Sequence, residues 1–128
     1  MAKTGKFKLD EFFAALADRT RLRLLNLMCD GEVCVCFFAE TLGTNNPKIS
    51  RHLAYLKRAG LVTGRRDGTW IHYSLTPPDD AGAAELLASI LKTFETDNEM
   101  KADKTALINV CCSASNSLVS IRGRTVAG

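Results

Sequence analysis

The sequence predicts a mainly α-helical α+β fold in which several helices accompany one β-hairpin. Residues 47–59 have the pattern of a short amphipathic helix with a marked beginning and end. Asp67-Gly68 lies between two runs rich in β-forming residues. Apolar residues also recur at helical spacing in three further segments, 7–17, 21–29 and 80–94. The 128 residues are enough for one domain with a single core.

The helix at 47–59 is predicted to be capped at both ends. Pro47 suits the first helical position because its missing N–H needs no partner there, so Asn46 is expected at the N-cap. Gly60 can adopt the left-handed conformation that ends a helix. The apolar residues of this helix share one face, which consists of Ile49, Leu53 and Leu56. The opposite face is largely basic and consists of Arg51, Ala54, Tyr55 and Arg58. Such an outer face suits the DNA major groove, although an ordinary solvated helix presents a similar one.

The segments on either side of this helix predict a winged helix-turn-helix. A helix over 37–42 and a turn at Gly43 precede it, while residues 33–36 are either a short strand or the start of that helix. After it, the runs 61–66 and 69–75 flank Asp67-Gly68 and predict a two-residue hairpin. Arg65 and Arg66 are expected at the tip of this wing, where they would contact phosphates or the minor groove.

The outer helices are predicted to form a homodimer. The helix at 7–17 carries an apolar stripe, and the helix at 80–94, capped by Asp79 or Asp80, carries a broad one. These stripes either pair two copies of the chain or close the core of one copy. A two-fold dimer would suit a palindromic operator. Residues 1–95 are therefore interpreted as a DNA-binding and dimerisation domain and 96–128 as an extension, with the last sixteen residues expected to be disordered.

Charge is distributed unevenly along the chain. Residues 48–72 contain six Lys or Arg and one Asp, a net charge of +5, whereas residues 79–103 contain seven acids and two Lys, a net charge of −5. The central third of the chain therefore carries a positive electrostatic potential, which would attract a polyanion. The chain lacks an apolar run of about 20 residues and a secretory signal pattern, which predicts a cytoplasmic protein without membrane contact. With two histidines and no catalytic motif, an enzyme is not expected.

Four of the five cysteines occur in two close pairs, Cys34 with Cys36 and Cys111 with Cys112. In a reducing cytosol these cysteines are expected to be free thiols rather than disulfides. Their occurrence in close pairs indicates soft-metal or redox chemistry. Positions i and i+2 of a regular helix point in nearly opposite directions, so Cys34 and Cys36 could share an ion only in an extended or unwound segment. Cys29 follows apolar Leu27 and Met28 and is interpreted as a core residue.

Four motifs together resemble the ArsR/SmtB family of metalloregulators, and most closely its arsenic-responsive repressors. They are E-V-C-V-C at 32–36, P-K-I-S-R-H-L at 47–53, G-L-V at 60–62 and G-T-W-I-H-Y at 68–73, and the resemblance spans about residues 9–95. It implies a dimeric winged helix-turn-helix repressor that occupies operator DNA until As(III) or Sb(III) binds cysteine thiolates.

The chain departs from that family pattern at one position. The familiar arsenic repressors carry a third cysteine three residues after the C-V-C pair, where this chain has Ala39. A pyramidal As(III) site requires three soft ligands, and related repressors place arsenic cysteines elsewhere on the fold. We therefore expect Cys34 and Cys36, with Cys111 or Cys112 from either subunit, to bind As(III) or Sb(III) and to lower DNA affinity.

Two alternatives of the same fold stay open, a repressor responsive to Zn(II) or Cd(II) and one responsive to thiol oxidation. A zinc site on the helix at 80–94 is disfavoured because that helix contains no histidine. A binding module for an acidic protein is a further alternative for the basic face. The residues expected to contact DNA are Lys48, Ser50, Arg51, His52 and Tyr55 of the helix, with Arg65 and Arg66 of the wing.

Overall fold

A computed structural model describes the backbone of residues 7–118 and the side chains of residues 7–112. It confirms a mainly helical fold with a small antiparallel sheet. In chain order the elements are α1 (Leu9–Leu16), α2 (Arg19–Leu27), β1 (Val33–Cys34), α3 (Val35–Leu42), α4 (Asn46–Arg58), β2 (Val62–Asp67), β3 (Trp70–Leu75), α5 (Ala81–Thr93) and α6 (Asn98–Leu118), with a 3-10 turn at Phe94–Thr96. None of the helices within the described residues is long and apolar enough to cross a membrane.

The sheet has the strand order β1-β3-β2, so the strand before α3 pairs with the wing. Cys34 lies opposite His72 in this ladder. In the wing itself Asp67 pairs with Trp70, which leaves Gly68 and Thr69 as the turn residues. The predicted turn at Asp67-Gly68 is therefore wrong by one residue. Gly68, with φ of 67°, supplies the positive φ that the turn requires.

Helix α4 begins and ends one residue earlier than the predicted range 47–59, whereas the predicted role of Gly60 after its C-terminus is confirmed. The side chain of Asn45, not Asn46, is the N-cap and accepts a hydrogen bond from the Lys48 backbone N–H at 2.9 Å. Pro47 is consequently the second helical residue. Gly60 is left-handed at φ 79°, as predicted.

The starts of α2 and α5 are set by aspartate caps. Asp18 Oδ1 accepts from the Arg21 N–H at 3.1 Å, so α2 begins at Arg19, two residues before the predicted start. Asp80 Oδ2 accepts from the Ala83 N–H at 2.9 Å, which selects Asp80 over Asp79. The segment 33–36 was predicted to be either a short strand or the start of a helix, and it contains both. Strand β1 ends at Cys34 and helix α3 begins at Val35.

The long helix α6 was not predicted. It packs against α2 and α3, and its backbone continues through residues 113–118, for which disorder was expected. Residues 119–128, for which disorder was also expected, lie outside the described part of the chain. Ion pairs hold α6 in place, since the Arg23 guanidinium donates to both oxygens of buried Asp103 at 2.8 and 2.9 Å. Asn26 adds a buried hydrogen bond to the Met100 carbonyl at 3.0 Å.

Candidate functional site

The amphipathic pattern of α4 is confirmed by burial. Its apolar side enters the core completely, with Ile49, Leu53 and Leu56 each 0% exposed. Its outer side presents exposed Lys48, Ser50 and Arg51 near the N-terminal end of the helix. Helix α4 therefore offers solvent a short basic surface with a hydroxyl group, the chemistry that the prediction of major-groove contacts requires.

Arg21 of α2 holds two of the α4 residues that were expected to contact DNA. Its Nη1 lies 3.4 Å from His52 Nδ1, and its guanidinium stacks 3.9 Å from the centre of the Tyr55 ring. The same guanidinium donates to the carbonyl oxygens of Ala14 and Ala15 at 3.1 and 2.8 Å. His52 and Tyr55 are half-buried as a result, and burial lowers the pKa of His52. Arg21 thus fixes α4 against α1 and α2.

The two wing arginines have different surroundings. Arg65 lies within the ladder opposite His72 rather than at the tip, and it donates to both oxygens of Glu32 at 2.9 and 2.7 Å. These hydrogen bonds raise the pKa of the Arg65 guanidinium. Arg66 is exposed one residue closer to the tip, where its Nη1 donates to the Gly68 carbonyl at 3.2 Å. Arg65 therefore ties the wing to the residue immediately before β1, and Arg66 points its charge to solvent.

The structure brings the sulfur atoms of Cys34 and Cys36 together. Cys34 has an extended backbone, with φ of −75° and ψ of 143°, and occupies the N-cap of α3. Cys36 lies in the first turn of that helix, and the two Sγ atoms are 3.3 Å apart. The predicted obstacle, that i and i+2 diverge on a helix, does not arise because the strand-to-helix boundary falls between the two residues.

The two thiols differ in acidity. The hydrogen bond between the two Sγ atoms, together with backbone hydrogen bonds to Cys34, lowers the pKa of Cys34 to about 6. The pKa of Cys36 is raised because its proton is held by the Cys34 sulfur. The lowered pKa favours the thiolate form of Cys34, which is the form that acts as a nucleophile and as a metal ligand.

The thiol pair opens into a cleft of about 250 Å³ between α3, α4 and the wing. Its walls are drawn from all three elements: Cys34, Val35 and Cys36, then Asn46 and Ser50 of α4, then Thr69, Trp70, Ile71 and Tyr73 of the wing. Ser50 consequently belongs both to this thiol cleft and to the outer surface of α4. A ligand on the two sulfurs would contact the same elements that are expected to contact DNA.

The remaining cysteines lie elsewhere. Cys111 is half-buried and Cys112 exposed on α6. The described side chains of residues 7–112 form no group of three or more His, Cys, Asp or Glu residues that could hold a metal ion. Ala39, at the position of the third cysteine of the resembled family, is buried in the core. Cys29 is half-buried beside the Leu25 carbonyl and lies outside the buried core, so the prediction of a core residue is wrong; burial raises its pKa.

Sequence reasoning missed Arg21, Glu32 and Trp70 as residues of this site. Arg21 and Glu32 find partners 31 and 33 residues away, so their roles depend on tertiary contacts that no local pattern reports. Trp70 had a usable sequence signal, because a large aromatic residue shortly after a predicted hairpin turn lies far from the core positions. In the structure its side chain is 47% exposed.

Comparison with known proteins identifies the regulatory family. The family described as bacterial regulatory protein, arsR family, matches residues 18–63. The arsenical resistance operon repressor of Escherichia coli (strain K12) is 45% identical over 60% of this chain and 67% of its own length. The arsenic resistance transcriptional regulator ArsR2 of Pseudomonas putida is 34% identical over 80% of this chain and 96% of its own. The chain belongs to the ArsR family.

A solved structure agrees with this family assignment. The homodimeric winged helix-turn-helix DNA-binding domain Mb0332 from Mycobacterium bovis superposes with a TM-score of 0.57 at 30% identity. The match covers 77% of this chain and 94% of that domain. As an ArsR-family member, the chain is a winged helix-turn-helix DNA-binding transcriptional repressor, which confirms the predicted fold and the predicted regulatory class.

Proposed function

We propose that this repressor binds operator DNA as a homodimer and is released when As(III) or Sb(III) bonds to the thiolates of Cys34 and Cys36. One observation carries the proposal: the two sulfurs lie 3.3 Å apart in a cleft whose walls include both α4 and the wing. The relatives named for arsenic resistance support the choice of ion. The function is regulatory rather than catalytic.

The spacing of the sulfurs fits a pyramidal ion. Two bonds of about 2.3 Å, the length of a zinc–thiolate bond, would enclose an angle of about 92° at an ion that joins sulfurs 3.3 Å apart. That angle is closer to the geometry of trivalent arsenic, whose lone pair compresses its bond angles, than to the tetrahedral angle of Zn(II). Soft thiolates also favour thiophilic ions, so As(III) or Sb(III) is the preferred inducer over Zn(II) or Cd(II).

Inorganic As(III) needs a third soft ligand, and we assign it to Cys111 or Cys112 from the same or the partner subunit. Helix α6, which carries both residues, packs against α3, which carries Cys36. Residues 96–128 would then act as an extension that supplies the last thiolate to a DNA-binding and dimerisation domain formed by residues 1–95.

The proposed dimer uses α1 and α5. Each helix buries one apolar side and leaves large apolar side chains in solvent, with Leu9 at 53%, Phe13 at 47% and Leu86 at 43% exposed. The homodimeric relative supports pairing through a surface of this kind. A two-fold dimer would place two α4 helices on a palindromic operator.

Arsenic binding would act on DNA through elements that the cleft shares with the DNA-reading surface. Cys34 belongs to β1, which pairs with β3 of the wing, and Ser50 of α4 lines the same cleft. The neighbouring Glu32–Arg65 pair joins the base of β1 to β2. A ligand that binds the Cys34 sulfur would therefore displace both α4 and the wing from the geometry that suits DNA.

The proposal is tested by titrating the dimer–operator complex with arsenite, antimonite, Zn(II), Cd(II) and hydrogen peroxide in parallel. Release by arsenite and antimonite at concentrations near their thiol stoichiometry is expected. Release by Zn(II) or Cd(II) alone would identify the divalent-metal alternative, and release by peroxide alone would identify the thiol-oxidation alternative.

Replacing Arg51 with alanine is expected to weaken operator binding by about 5–150-fold, the value of one good bidentate contact to a base, while the dimer stays intact. If Arg51 contacts a phosphate instead, the slope of log K against log salt should fall by about 0.9. Fluorescence anisotropy at several salt concentrations distinguishes the two. Lys101→Ala on α6 removes the same charge from an exposed position outside the DNA-binding unit and serves as control. Equal affinities of the Arg51 variant and the control would remove Arg51 from the interface.

A further inference from the structure

We propose that Glu32 binds the wing residue Arg65 in the DNA-free repressor in the way a DNA phosphate would. When the repressor binds DNA, Arg65 exchanges the Glu32 carboxylate for a phosphate. Glu32 is then a positioning residue that sets operator affinity, although it lies on neither α4 nor the wing. This inference rests on the operator binding of the proposed function and is independent of its arsenic release.

The contact between Arg65 and Glu32 uses guanidinium atoms that also suit a phosphate. Arg65 Nε donates to Oε2 of Glu32 at 2.9 Å, and Arg65 Nη2 donates to Oε1 at 2.7 Å. Two parallel N–H groups of a guanidinium match the oxygens of a carboxylate and those of a phosphate alike. Through this edge of its guanidinium, Arg65 can therefore bind Glu32 or DNA, but not both at once.

The fold holds Glu32 within reach of Arg65 across the middle strand of the sheet. Gly31, with φ of 139°, turns the chain after α2, and Glu32 follows directly before β1. Strand β3 lies between β1 and β2, and His72 of β3 pairs with Cys34 on one side and with Arg65 on the other. The Arg65 side chain therefore crosses β3 to reach Glu32, and the pair joins the start of β1 to β2.

Solvent exposure makes this ion pair easy to open. The side chain of Arg65 is 53% exposed and that of Glu32 is 26% exposed. Ion pairs in contact with water contribute little to stability, so breaking one costs little when another anion replaces the carboxylate. Arg65 lies two residues before the end of β2, beside exposed Arg66, where a wing meets the DNA backbone. The DNA duplex offers one negative charge for about every 1.7 Å of its axis.

Glu32 lowers operator affinity in two ways. In the DNA-free protein it neutralises one of the six Lys or Arg residues of the basic segment 48–72, although it lies outside that segment. The ion pair must open before Arg65 can bind a phosphate. In the complex, the released carboxylate then lies near the phosphate that replaced it, and the two like charges repel each other. Removing the charge of Glu32 is therefore expected to strengthen operator binding.

The test is a double-mutant cycle on the full-length dimer without arsenite, with operator anisotropy measured between about 50 and 200 mM salt. Glu32→Gln should strengthen operator binding about three- to tenfold, because the ion pair and the repulsion are both lost. Arg65→Gln should weaken binding and reduce the slope of log K against log salt by about 0.9, the value of one phosphate contact. In the Arg65→Gln background, Glu32→Gln should change the affinity by less than about twofold.

Two controls separate the exchange from general charge and folding effects. Glu40→Gln removes the same charge from an exposed position of α3 and should change the affinity by less than about twofold. Arg65→Lys keeps the charge and should keep the wild-type salt slope. An equal gain from Glu32→Gln in both backgrounds, no gain in the wild-type background, or an unchanged slope in Arg65→Gln would overturn the exchange while the proposed function stands. Absence of operator binding by the wild type would contradict both.

Discussion

Replacing either Cys34 or Cys36 with serine is expected to abolish release of the operator by arsenite. A serine hydroxyl is a hard ligand and cannot replace a thiolate on a thiophilic ion, so each variant keeps only two of the three sulfurs that arsenite requires. Operator affinity without arsenite should change little, because the side chains of both residues face the cleft rather than the outer surface of α4. Operator anisotropy across an arsenite titration of each variant measures both quantities.

Cys29→Ser is the matched control for the two cysteine variants. Cys29 is also a half-buried thiol at the end of a helix, but it lies outside the cleft. The control should release its operator at the wild-type arsenite concentration. If Cys34→Ser and Cys36→Ser both respond to arsenite as fully as this control does, the thiol pair is not the sensor.

Arg21→Ala is expected to lower the free energy of unfolding by about 2–3 kcal/mol, because it removes two charge-assisted hydrogen bonds and a half-buried cation–π contact. The carbonyls of Ala14 and Ala15 would lose their donor, and the Tyr55 ring would lose the guanidinium at 3.9 Å. Since Arg21 also fixes α4, operator affinity should fall about tenfold, equivalent to 1.4 kcal/mol. Urea denaturation and operator anisotropy provide the two readouts.

Arg58→Ala is the control for the Arg21 variant. Its guanidinium lies over the same Tyr55 ring at 5.4 Å, but Arg58 is exposed and near the C-terminal end of α4. A change in stability of less than about 0.5 kcal/mol is expected for this surface position. If the two variants are equally stable, Arg21 does not serve as the support for α4.

The fold was predictable where its signals are local. Pro47 and Gly60 mark the ends of α4, and the β-rich runs around Asp67-Gly68 mark the wing, because caps and tight turns depend on a few neighbouring residues. The errors of one residue at Asn45 and at the wing turn arose where adjacent residues could equally well serve as the N-cap or as the turn residues. Helix α6 was missed because ion pairs and Asn26 hold it against α2. Such contacts between distant segments leave no periodic apolar pattern.

The candidate site was predictable in its residue types and less so in its geometry. The spacing of Cys34 and Cys36 indicated soft-ligand chemistry, but their distance depends on where β1 ends and α3 begins. The expectation that the segment must be extended is met at Cys34 alone, and the change from extended to helical backbone between Cys34 and Val35 places the two sulfurs 3.3 Å apart. The cleft could not be predicted, because α4 and the wing come together there only after β1 pairs with β3.

The pairing of β1 with β3 gives the thiol pair a direct connection to the wing. Cys34 lies opposite His72 in the ladder, and Glu32, two residues earlier, holds Arg65 of β2 through two hydrogen bonds. We therefore expect a displacement of Cys34 to reach both strands of the wing, in addition to α4 through Ser50. Arsenic can weaken DNA binding only if the arsenic-bound conformation has a lower affinity for DNA than the arsenic-free conformation.

The reciprocal effect of DNA on arsenite binding measures this coupling most directly. Arsenite affinity, followed by the absorption of arsenic–thiolate bonds, should be weaker for the operator-bound dimer than for the free dimer. The factor should equal the loss of operator affinity caused by arsenite, about 5–150-fold for a coupling of about 1–3 kcal/mol. Identical arsenite affinities of the free and operator-bound dimer would show that the thiol cleft and the DNA-binding surface are not coupled.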